Sequence, residues 1–207
     1  LIALQLTGTV HAWRGSSKEA FETTRRAVEI CDANGLALPR LLAVRRLEKL
    51  AAESQRTRAP LENLERIYRE TNALGMRISQ TMTLGMLAES CLLQGERESG
   101  LEWVERGLRI AEDSKEQYCA AELWRIRAAL VDDLSDRFHC LRRALEIARK
   151  QGAGWWRLRA AIDLASLPGT AAQQREARRE LQQCMDGIQG GAELPDVRRA
   201  REILEAD

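Results

Sequence analysis

The side chains able to do chemistry are few, and they lie far apart in the sequence. There are two histidines, His11 and His139, and five cysteines at 31, 91, 119, 140 and 184. A structural zinc site wants four converging ligands. Only His139 and Cys140 are adjacent, and neighbouring residues of a helix point about 100° apart, so they do not converge. A Cys–His nucleophile needs the same convergence plus an orienting third group. The odd cysteine count, the wide spacings and the lack of any CxxC pair predict reduced thiols in a cytoplasmic protein. Acidic pairs such as Glu112-Asp113 and Asp132-Asp133 fall where helices end, and read as caps rather than acid–base groups. No phosphate loop and no G-x-G-x-x-G after a strand is present. The expectation is no catalytic, cofactor-binding or metal-binding residues, no cofactor, and a non-enzymatic chain.

One constellation is worth placing in space. Trp124-Arg125-Ile126-Arg127-Ala128-Ala129-Leu130 recurs 32 residues later as Trp156-Arg157-Leu158-Arg159-Ala160-Ala161-Ile162. With Leu123, Ile126 and Leu130 facing inward, Trp124, Ala128 and Val131 fall opposite, and Arg125 and Arg127 flank them. In the second copy Leu158 and Ile162 face inward, Trp156 and Ala160 lie opposite, and Arg157 and Arg159 flank. A helix apolar on two faces is either sandwiched between layers or lines a surface. Trp and Arg are the residues most enriched at interface hot spots, and Arg can grip a carboxylate with two hydrogen bonds. Trp124, Arg127, Trp156 and Arg159 are therefore the candidate binding residues, with an acidic or amphipathic protein segment as partner. The competing reading has the tryptophans filling space between helices. Arg142-Arg143 and Arg178-Arg179, interleaved with Glu146 and Glu176, read as surface ion pairs.

The elements that must hold these residues show a long period. Phe21, Thr24, Val28 and Cys31 form one helix face. The same offsets give Leu61, Leu64, Tyr68 and Thr71, then Leu101, Val104, Leu108 and Ala111. Further on they give Phe138, Leu141, Leu145 and Ala148, then Arg178, Leu181, Met185 and Ile188. Small residues follow their own register: Ala20 and Ala27 correspond to Gly100 and Gly107, and to Ala177 and Cys184. Gly35, Gly75 and Gly152 share one position after a helix, with Lys115 in the remaining repeat, and Gly there is the usual left-handed cap. The pattern predicts first helices near 1–14, 37–53, 77–94, 116–131 and 154–167. Second helices fall near 17–33, 60–74, 97–113, 135–151 and 172–189, with a closing helix at 195–206 that starts on Pro195. The 32-residue spacing of the Trp motif puts the extra residues of that repeat around Pro168-Gly169-Thr170.

A helix pair every 34 to 40 residues resembles tetratricopeptide repeats. Gly8, Gly15, Ala20 and Ala27 in the first repeat carry the likeness, as do Leu84-Gly85, Gly95, Gly100 and Gly107-Leu108 in the third. The resemblance implies an all-α, right-handed superhelical stack of about five helix-turn-helix repeats plus a C-terminal capping helix. As one domain over 1–207, it divides into repeats at 1–35, 36–75, 76–115, 116–152 and 153–191, with the cap at 192–207. Residues 105–207 resemble something narrower. The stretches are Arg143-Ala144-Leu145-Glu146-Ile147-Ala148-Arg149, Gln151-Gly152-Ala153, Leu158-Arg159-Ala160-Ala161, Leu164-Ala165-Ser166-Leu167 and Gly191 to Val197. They are similar to the C-terminal repeat region of large bacterial signalling ATPases, among them adenylate-cyclase-like proteins and ATP-dependent transcriptional regulators. That likeness implies a longer parent with an upstream nucleotide-binding domain. Ala192 and Leu194 stand where that family usually has an aromatic and a Thr.

Composition narrows the partners. Only four of the 32 basic residues are Lys, and the formal net charge is +1. A near-neutral chain carries no global field toward nucleic acid or membrane, and an Arg excess also fits a GC-rich genome. No apolar run approaches the roughly 20 residues of a membrane span. The chain starts on Leu1 rather than Met and reads as part of something longer. The expected role is a protein-interaction or regulatory scaffold, or alternatively a peptide- or small-ligand-binding sensor using a concave groove. Homo-oligomers fit either reading.

Overall fold

The computed structural model describes residues 1–55 and 57–206. Among them all regular structure is helical. The elements are α1 (Ile2–Trp13), α2 (Ser17–Ala33), α3 (Ala37–Gln55), α4 (Arg58–Ala73), α5 (Gln80–Gln94) and α6 (Arg97–Ser114). They continue as α7 (Ala120–Leu130), α8 (Leu134–Gln151), α9 (Gly154–Ala165), α10 (Ala171–Asp186) and α11 (Pro195–Glu205). These match the helices expected from the periodicity, with α5 and α7 starting a few residues later. They form stacked helix-turn-helix repeats closed by a capping helix.

The helices fall into two compact units, Leu1–Gly100 and Leu101–Asp207. In the first, α1 packs on α2, α2 on α3, α3 on α4 and α4 on α5, and α3 also reaches α5. In the second, α7 packs on α8, α8 on α9, α9 on α10 and α10 on α11, while α7 and α11 both reach α9. First helices of neighbouring pairs thus touch within each unit.

The core is built from the stripe and the small-residue register. Leu61, Leu64, Tyr68 and Thr71 are all buried, as are Phe138, Leu141, Leu145 and Ala148. Ala20, Ala27, Gly100, Gly107, Ala177 and Cys184 are buried too. The reason for small residues is visible at Gly8, where a Cβ would stand 2.6 Å from Thr24 Oγ1. Several members of the stripe depart from expectation: Val28, Leu101, Met185 and Ile188 keep part of their surface, as do Phe21 and Leu108. Phe21 is 43% exposed, although its counterparts Leu61 and Phe138 are covered. Leu108 is only half-buried, while the adjacent Gly107 and the small Ala111 on the same helix are buried.

Helix ends follow the sequence signals. Gly152 adopts φ +63 after α8, and Lys115 adopts φ +62 after α6, a left-handed conformation rare for a residue with a side chain. Asp133 caps α8, accepting from Asp136 N at 2.9 Å. Thr170 opens α10 with a capping box shared with Gln173. The connection 166–170 is longer than its counterpart 131–133, which is where the motif spacing predicted the extra residues. Arg178, the charged break in the last stripe, donates to the carbonyls of Ile203 and Ala206 and so satisfies the end of α11.

Candidate interaction surface

Within the second unit each first helix carries an opposite-charge pair about one turn apart: Glu122 and Arg125 on α7, Arg159 and Asp163 on α9, Asp196 and Arg199 on α11. The helix spacing puts such pairs on one face, and the contacts between helices weave them together. Arg125 grips both carboxylate oxygens of Glu122, at 3.0 and 2.8 Å, and donates to Asp163 at 2.8 Å. Arg159 donates to the same Glu122 and stands 3.7 Å from Asp196. Arg199 reaches Asp163 at 4.0 Å. Glu122 and Arg125 are buried, so their charges are tolerable only because each has a charged partner. Burial pushes the Asp196 carboxyl above its ordinary range, and the nearby Glu122 and Asp163 add to the rise while Arg159 and Arg125 oppose it.

The Trp–Arg motif keeps its local geometry in both copies. The Arg127 guanidinium lies 5.7 Å from the centre of Trp124, and that of Arg159 lies 5.8 Å from Trp156, within reach of a cation–π attraction. Both rings are half-buried. Beyond that the copies diverge. Trp124 meets the edge of His139 on α8 with centroids 6.1 Å apart. Arg127 donates to Cys140 Sγ at 2.9 Å and lies 4.0 Å from Glu105, so this pair looks toward second helices. Arg159 instead looks toward the first helices α7 and α11. Arg125 joins first helices, whereas its counterpart Arg157 donates to Glu180 and Gln183 on α10. The motif copies lie 32 residues apart, but α8 and α10 begin at Leu134 and Ala171, 37 apart. A five-residue slip on a helix turns matching side chains to different directions.

The first unit has its own polar seam. Gln5 donates to Pro39 O at 3.2 Å and Arg45 to Ser79 O at 3.2 Å, the same span of 34 residues one period apart. Arg45 also donates to Thr83. Lys49 sits 3.1 Å from both Glu53 and Glu89. Burial alone would depress its ammonium, but Glu89 and Glu53 outweigh it and hold the pKa above the ordinary lysine value. A shallow groove of about 180 Å³ runs beside this seam, lined by Leu6, Thr9, Leu42, Arg46 and Met82 among others.

The acidic partners Glu122, Asp163 and Asp196 were not singled out in the sequence. The signal in the sequence is a pair of opposite charges one turn apart on each of three helices, Glu122 and Arg125, Arg159 and Asp163, Asp196 and Arg199. All five thiols are buried. Burial pushes Cys91 up to about 12 and Cys184 up to about 11, which keeps them protonated and unreactive. Among the described residues no group of three or more His, Cys, Asp or Glu is placed to hold a metal. No helix among them is long and apolar enough to cross a membrane.

The class that this architecture defines is the tetratricopeptide-like helical-repeat fold. Among the solved structures that share it are two of kinesin-light-chain-type, nearly identical TPR-like repeats from Podosopora anserina. One of them, a single-substitution variant, superposes with a TM-score of 0.58 at 18% identity, covering 90% of this chain and 93% of that one. The second gives 0.57 at 19% identity with the same coverage. Such identities carry the fold and not the partner. No protein-family profile matches the chain, and no curated protein matches it.

Proposed function

We propose that this chain is a protein-interaction scaffold whose first-helix face in the second unit receives an acidic or amphipathic peptide segment. The observation that carries the reading is the half-buried Trp156 stacked with Arg159 on a helix already lined with exchangeable charges. Aromatic rings beside guanidinium groups supply both contact area and a carboxylate anchor. Arg159 donates to Glu122 and stands 3.7 Å from Asp196, and this looser contact with Asp196 is where a ligand carboxylate would enter. Trp124 and Arg127 form a second patch near α8. The likeness of residues 105–207 to repeat regions of bacterial signalling ATPases supports placing the scaffold in a larger signalling or transcription regulator, downstream of a nucleotide-binding domain.

The test is selection from a randomised peptide library on the immobilised protein. Acidic or amphipathic sequences should be enriched. Trp156→Ala and Arg159→Ala should abolish enrichment, scored on variants that circular dichroism shows to be folded at the assay temperature. No enrichment, or enrichment indifferent to all four candidate residues, would sink the proposal. Enrichment lost instead on Leu42→Ala or Arg46→Ala would favour a sensor reading, with the groove of the first unit as the site.

A further inference from the structure

Asp196 is the second residue of α11, and its carboxylate faces α9. It lies 3.7 Å from the Arg159 guanidinium, beyond hydrogen-bond reach, while Arg159 donates to Glu122 on α7. The charges that surround it come from three helices. Helix α7 brings Glu122 and Arg125, α9 brings Arg159 and Asp163, and α11 itself adds Arg199. Helix α10 also packs on α11, but it sends Arg178 to the opposite end, at the carbonyls of Ile203 and Ala206. Within this seam the other two carboxylates are better held. Arg125 grips both oxygens of Glu122 and donates to Asp163 at 2.8 Å. Nor does the seating of α11 depend on Asp196. Val197 and Ala200 are buried, Ile203 and Leu204 pack on the core, and Arg178 closes the far end.

We infer that Asp196 is an internal competitor for Arg159: in the free chain its carboxylate stands where a ligand carboxylate belongs, and an acidic peptide binds by displacing it. This rests on the reading of Trp156 and Arg159 as a peptide site. Once the incoming carboxylate takes Arg159, Asp196 is left beside Glu122 and Asp163, and like charges at short range disfavour its ionised form. Its side chain is 31% exposed, so it turns into water or takes up a proton from it. Burial already favours the protonated carboxyl, against the pull of Arg159 and then Arg125, and losing Arg159 favours it further. A competitor of this kind lowers apparent affinity by the fraction of molecules in which it holds the arginine. It also sharpens selection, because a neutral or basic segment brings nothing to offset the broken ion pair.

The experiment runs the randomised-peptide selection on the wild-type chain, on Asp196→Asn and on Asp196→Ser. The enriched acidic peptides are then titrated against all three by fluorescence anisotropy. Affinities should be about fivefold or more higher for both neutral variants. The gap should narrow as pH falls and the wild-type carboxyl takes its proton; comparing the proteins at each pH cancels titration of the peptide itself. Hydrogen exchange of the α11 amides in the free variants should match that of the wild type. Faster exchange there, or failure of both variants to fold, would make Asp196 a brace for α11 and overturn the inference. Equal or weaker peptide binding by the variants overturns it too; if that binding still needs Trp156 and Arg159, the peptide site itself survives. Acidic peptides enriched on none of the three chains overturn both readings. Enrichment on the neutral variants alone upholds the inference, with the competitor closed in the free chain.

Discussion

Thr24 sets how closely α1 and α2 can approach: its hydroxyl donates to Ala20 O at 2.7 Å inside the interface, directly opposite Gly8. Gly8→Ala should therefore destabilise by about 1–3 kcal/mol, as overpacking does. In a Thr24→Ala background the same change should become neutral or favourable, because Ala exceeds Gly in helix propensity by about 1 kcal/mol; chemical denaturation of the four variants checks both signs. Lys115 gives the opposite case. Its left-handed backbone costs about 1–2 kcal/mol for a residue with a Cβ, so Lys115→Gly should raise stability by about 1 kcal/mol in the same assay. The sequence made this position legible through its alignment with Gly35, Gly75 and Gly152. It did not show that Leu108 keeps part of its surface, since periodicity gives a direction around the helix and not the size of the neighbours. Leu145→Ala should accordingly cost about 2–5 kcal/mol, and Leu108→Ala distinctly less.

Between elements, the ion pairs of α7, α9 and α11 differ from those on the outer helix faces. Arg143 and Glu146, 2.7 Å apart, are both about half exposed, and such pairs contribute roughly 0–1 kcal/mol. Arg125 and its partner Glu122 are shielded from water. A double-mutant cycle on Arg125 and Asp163 should give a coupling of about 1–3 kcal/mol, and one on Arg143 and Glu146 well under 1 kcal/mol; equal couplings would mean that the inner pairs are solvated after all. Helix identities and most boundaries were legible because apolar spacing and cap residues are local signals. The charge ladder was harder to see because it depends on the register between helices. That register runs at 37 residues between α8 and α10, while the conspicuous motif repeats at 32. The tryptophan copies are related in sequence but turned differently in space.

At the scale of the molecule, burial is uneven along the chain. Helix α1 buries only Gly8, whereas α5 buries ten of its residues and α7 eight. Hydrogen exchange should be fastest in α1 and slowest in α5 and α7, following local contact with the core; uniform protection would contradict this. The Lys49 contact adds a pH dependence. Its native pKa is raised by Glu89 and Glu53, so its contribution is fully present below the ordinary lysine value of about 10.4 and is lost as pH climbs through the higher native value. Thermal midpoints should fall in that alkaline window, and Lys49→Met should remove that part of the decline. The five covered thiols have a practical consequence. Cys31, Cys91, Cys119, Cys140 and Cys184 are distributed from α2 to α10, and none can meet a soluble alkylating reagent until its own helix pair parts. Timed alkylation followed by peptide mass mapping would then report opening separately for every helix pair but α3–α4, which carries no thiol, from the wild-type chain and with no label introduced.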